Sequence, residues 1–125
     1  MTPEAADYLR TSHVILADAQ KAATLGMERV AVRDSYLADL NAARALIFER
    51  LTIAAKSHSG TISLFGQLLR DGLAFDPDLA GALTEGFDKK SKVDYGPYSS
   101  AEFELAEHAV ERAVSFIAAV ERLLI

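Results

Sequence analysis

Residues 99–125 read SSAEFELAEHAVERAVSFIAAVERLLI. Within this stretch Phe103, Ala106, Val110, Ala113, Ile117, Val120 and Leu124 recur at alternating intervals of three and four. That spacing gathers side chains on one side of an α-helix, whereas a strand would need a period of two. Leu105, Ala109, Phe116 and Leu123 widen the apolar stripe beyond a two-position seam. A helix with so wide a stripe touches more than one neighbour, as in a bundle or at a subunit interface. Ser99 with Glu102 three residues later forms a capping box that opens it.

The rest of the chain follows the same rule. Thr2 as N-cap, Pro3 at the first helical position and Gly26 as the stop predict a first helix from Pro3 to about Leu25. Its buried face is Tyr8, Ser12, Ile15, Ala19 and Ala22. A second helix is expected over roughly Glu28 to Ala55, with a break allowed near its end and Leu37, Leu40, Ile47, Leu51 and Ala55 as its stripe. Ser57-His58-Ser59-Gly60 reads as a turn, followed by a helix to about Asp71 that Gly72 ends. Asp76-Pro77 reads as an N-cap and first position for a fourth helix, which carries Leu79, Leu83 and Phe87 into the basic run Lys89-Lys90-Ser91-Lys92. No five-residue run alternates as a half-buried strand does. The expectation is an all-α, up-and-down bundle of four to five helices, forming one domain over residues 1–125.

Composition excludes more functions than it suggests. The absence of cysteine removes thiol catalysis, iron–sulfur clusters and cysteine-held zinc. A formal net charge of −5 argues against a general nucleic-acid binder, which needs a broad basic surface. Glu4 and Asp7 interrupt the N-terminus where a leader would be apolar, and no run approaches the roughly 20 apolar residues of a membrane span. A cytoplasmic protein without membrane association is expected. Glu104 and His108 stand four apart rather than the three of a di-iron pair, and no second such pair exists, so no metal or other cofactor is expected.

Two polar stretches interrupt this pattern. Lys56-Ser57-His58-Ser59-Gly60 sets a cation, hydroxyls and an imidazole at a helix start, where unpaired backbone N–H groups attract anions. A plain cap by Ser57 or Ser59 accounts for the same residues. Lys90-Ser91-Lys92-Val93-Asp94-Tyr95 places cations and a phenol at a helix end, where the dipole favours cations in any case.

At these residues the sequence resembles the HEPN domain family. The segment from Tyr36 to Leu46, YLADLNAARAL, resembles that family's second-helix motif. Lys56-Ser57-His58-Ser59-Gly60, with Ile62 and Phe65-Gly66 after it, looks like the Lys-Thr-His-Ser-Gly turn of its small standalone branch, and Val93-Asp94-Tyr95 like the Ala-Asp-Tyr stretch before its last helix. The resemblance implies a helical bundle, usually a homodimer. It also implies a nucleotidyltransferase partner in a toxin–antitoxin pair, and a metal-independent ribonuclease built on Arg, four to six residues, then His. Here Lys90 falls at the arginine, Tyr95 at the histidine and Pro97 at a tyrosine that some partners modify with AMP, while Asp34, beside Arg33, stands where the branch has an arginine. Lysine lacks the bidentate fork of arginine, and a phenol is a weak base near neutrality.

Three functions follow in order. The first is a dimeric binding or regulatory partner of a minimal nucleotidyltransferase, with a degenerate nuclease motif. The second is a ribonuclease toxin with Lys90, Tyr95 and His58 as its catalytic residues. The third is a nucleotide-binding module in which Lys56, Ser57, Lys90, Arg44 and Tyr36 hold the nucleotide and its phosphates.

Overall fold

The structure is a computed structural model that describes residues 1–87 and 105–124 in full and residues 101–104 as helical backbone. Helix α1 runs Pro3–Thr24, α2 Glu28–Leu51 and α3 His58–Arg70; α4 is helical over residues 82–87, and α5 runs Ala101–Leu124. All regular structure among the described residues is helical.

Helix α1 begins as its sequence dictates: the Thr2 hydroxyl accepts from the Ala5 N–H at 3.1 Å, with Pro3 in the first turn. It ends where Gly26 takes φ of 74°, a left-handed conformation that costs glycine nothing. The next helix runs back along it. Ser12 Oγ, inside the bundle, donates to the Ala38 carbonyl at 2.8 Å, and near the other end the Thr2 N–H reaches both Glu49 carboxylate oxygens at 3.0 Å. Ala5, Ala19, Ala22, Ala31, Ala38 and Ala42 are all buried, and their small side chains let the α1 and α2 backbones approach closely.

Helix α5 covers the next face of α2 and is antiparallel to α1. His13 Nε2 lies 2.8 Å from Glu121 Oε1 at one end, and Ala23, Thr24 and Gly26 share a pocket with Ala106 and Glu107 at the other. Being antiparallel to the same helix, α2 and α5 run parallel. Of the expected α5 stripe, Ala106, Ala113, Ile117, Val120 and Leu124 are buried and Val110 is half-buried. The side chain of Phe103, and Ser99 of the proposed capping box, lie outside the described residues. Across the lower end Phe65 of α3, Phe75 and Phe116 of α5 form a three-ring cluster with centroids 5.3 to 5.6 Å apart.

Three boundaries differ from expectation. Helix α2 stops at Leu51 rather than near Ala55, because Thr52 turns left-handed at φ 56° and its N–H closes on the Phe48 carbonyl at 2.8 Å. Helix α3 starts earlier, at His58, since Ser57 itself is the cap: its hydroxyl accepts from the Gly60 N–H at 2.9 Å. Asp76-Pro77 opens a turn rather than an α-helix. The Asp76 carboxylate takes the Asp78 N–H at 2.9 Å, while Leu79 and Ala82 bond to carbonyls three residues back, so regular helix begins at residue 82.

Replacing Phe116, fully buried at the centre of the ring cluster, by alanine should lower the unfolding free energy by about 3–5 kcal/mol in urea titrations followed by circular dichroism.

Candidate functional site

The polar residues of the second-helix motif and those of the Ser57–Gly60 turn converge. Tyr36, on α2, is only 1% exposed, and its hydroxyl lies 3.3 Å from His58 Nδ1 at the start of α3. The two ring centroids are 5.5 Å apart, and Phe87 of α4 packs edge-to-face with Tyr36, centroids 6.0 Å apart. Two turns along α2, Arg44 Nε donates to Thr61 Oγ1 at 3.1 Å, and Thr61, buried, donates onward to the Ser57 carbonyl at 2.7 Å. Tyr36, Arg44, Ser57 and His58 thus form one ladder between α2 and α3, completed by Thr61. Lys56 stands exposed beside it. Lys90 and Tyr95 lie outside the described residues.

Burial governs the chemistry of this ladder. It pushes the Tyr36 phenol up to about 12, against a smaller opposing pull from the Arg44 guanidinium and a smaller push from Asp39. A phenol held protonated so far into alkali serves as a hydrogen-bond donor and not as a base. Ser57 spends its hydroxyl on the Gly60 N–H, one of the backbone donors an anion would use. The Asp34 carboxyl, half-buried, is also raised, chiefly by burial, and its neighbour Arg33 lies 3.9 Å away.

Beneath Tyr36 lies a second polar group that periodicity alone does not announce. Ser35 and Asp39, one turn apart on α2, face Arg112 of α5 and the small residues Ala82 and Gly86 around a cavity of about 20 Å³. Asp39 is 5% exposed, and burial drives its carboxyl well above the usual range despite the attraction of Arg112. Arg112 reaches out in turn to Glu85 of α4 in an ion pair. Gly86 sits so close to Tyr36 that a β-carbon there would come within 3.0 Å of the ring. The sequence signal was available as two polar residues four apart inside an apolar stripe, and their burial makes it legible only in hindsight. Among the described residues no three histidine or acidic side chains gather to hold a metal, and no helix is long and apolar enough to cross a membrane.

Comparison with known proteins places this architecture. The HEPN domain profile matches residues 5–123, so the chain belongs to the HEPN family. It is similar to a UPF0332 protein of the archaeon Archaeoglobus fulgidus, 28% identical over 109 residues that cover 87% of this chain and 86% of that one. It is also similar to a UPF0332 protein of the bacterium Gloeobacter violaceus, 44% identical over 69 residues, where the match spans 55% of this chain and about half, 54%, of the relative.

Two titrations test these environments. The phenolate absorbance of the protein should contain a component near pH 12 that Tyr36→Phe removes. Because that pKa is raised in the folded state, the stability it reflects is whole below the ordinary phenol value and is lost as pH climbs through 12. The raised Asp39 carboxyl has the same sign. Folded protein holds its proton where unfolded chain has released it, so Asp39→Asn should gain stability over the parent as pH rises above the ordinary carboxylate value of about 4, read from thermal midpoints.

Proposed function

We infer that this HEPN-family chain acts as a dimeric binding and regulatory partner, of a minimal nucleotidyltransferase, and not as an efficient ribonuclease. The observation that carries the reading is the α2–α3 ladder. The tyrosine and arginine of the second-helix motif are engaged with His58 and Thr61, so the polar groups the motif supplies hold two helices together. Tyr36, buried and resistant to ionisation, offers no base. Lys90 and Tyr95 stand where a nuclease dyad would need arginine and histidine, and a net charge of −5 opposes a polyanionic substrate. A protein that retains the scaffold and lacks the dyad keeps a surface for partners. Support for the dimer comes from Val14 of α1 and Val114 of α5, 58% and 43% exposed on the two helices that flank α2.

Affinity capture of the native protein from its own cells should bring down a nucleotidyltransferase, and sedimentation at micromolar concentration should give twice the mass of one chain. Rapid metal-free cleavage of RNA by the purified protein, abolished by Lys90→Ala or Tyr95→Phe, would overturn the reading in favour of a toxin nuclease. Amide shifts beside Lys56 and Lys90 at millimolar AMP, with no protein captured, would instead support the nucleotide module and equally overturn it.

A further inference from the structure

Ser35 Oγ and Asp39 Oδ1 are buried side-chain atoms without a hydrogen-bond partner among the described residues. Both belong to residues lining the cavity of about 20 Å³ between α2, α4 and α5, and Arg112 lines it from the opposite side. Two orphaned polar atoms at one small cavity are a costly arrangement, since each forfeits its hydration on burial.

We propose that this cavity is a specific internal hydration site, holding one water molecule bound by Ser35, Asp39 and Arg112. Its size fits that occupant, since one water needs roughly 10–15 Å³ of such space. Hydrogen-bonding capacity selects it as well. The guanidinium of Arg112 disfavours a cation, a simple anion has no proton to give the unpaired Asp39 Oδ1, and an apolar occupant would leave both orphaned atoms unpaired. What remains is a small neutral molecule that both donates and accepts. Water can accept from the Ser35 hydroxyl and from an Arg112 N–H while donating to Asp39 Oδ1, the three bonds typical of a buried water. Through Arg112 and its ion pair with Glu85, that water joins the interior of α2 to α5 and on to α4. The site is independent of the nucleotidyltransferase reading, because it concerns the interior of the bundle.

Water-to-methyl cross-relaxation in labelled full-length protein tests it. Cross-peaks at the water frequency are expected on the Ala82, Ala109 and Val32 methyl groups, with laboratory-frame and rotating-frame effects of opposite sign, as for a held water. The double variant Ser35→Ala/Asp39→Leu removes both unpaired atoms. With dispersed amide spectra confirming its fold, it should lose the cross-peaks, and their retention overturns the proposal. Their absence from the parent protein overturns it too, whether the space is dry or filled by protein. In the parent the cross-peaks should also persist unchanged across a pH series. Intensities that follow the hydroxyl exchange rate would overturn the proposal, since the signal then came from proton exchange at Ser35 or Asp39. Should the double variant not fold, the pH series on the parent decides.

Discussion

The burial of α2 on nearly all sides is the constraint from which the rest of the molecule follows. Thirteen of its 24 residues are buried, and α1, α3 and α5 all pack against it. A helix so enclosed leaves little solvated face for polar side chains, so most of those it buries look to a neighbouring helix for a partner. Its alanines set how closely the partners can approach. Its polar residues set which partners those are: Ser12 reaches in from α1, Thr61 and His58 answer from α3, and Arg112 comes from α5.

This arrangement gives the turn between α2 and α3 a role in architecture as well as in any binding. Thr52 reverses the chain in a left-handed conformation, five residues later Ser57 caps α3, and the Arg44–Thr61–Ser57 relay then ties that cap back to the middle of α2. Ser57 contributes its side chain to the first turn and its carbonyl to Thr61, so one residue fixes both the start of α3 and its tilt against α2. A motif that resembles a family's signature can therefore persist because the fold requires it, without implying the family's chemistry.

Helix ends written in local chemistry were readable from the chain. Thr2 with Pro3, and Gly26, marked α1 to within a residue, and the three-four spacing of α5 identified the face it buries. The boundaries that failed depend on choices local chemistry leaves open. Thr52 has no glycine to advertise its positive φ, and Asp76-Pro77 serves a turn as readily as a helix start. The HEPN membership was legible because three motifs stood in order along the chain. The Ser35–Asp39–Arg112 group was not, since periodicity assigns a residue to a face without saying that a charge can be tolerated there. That tolerance depends on a residue 73 positions further along the chain from Asp39, which no short-range pattern can show.

The contact of Gly86 with the Tyr36 ring carries a consequence for how this sequence can drift. A smaller side chain at position 36 opens room that position 86 could then use, but a larger residue at 86 meets the buried ring and must displace it if it arrives first. The two positions are thus coupled in time as well as in space: the ring must yield before the glycine can grow. Lineages that keep the tyrosine are held to the glycine, and the packing of α4 on α2 acts as a one-way ratchet on the order of substitutions.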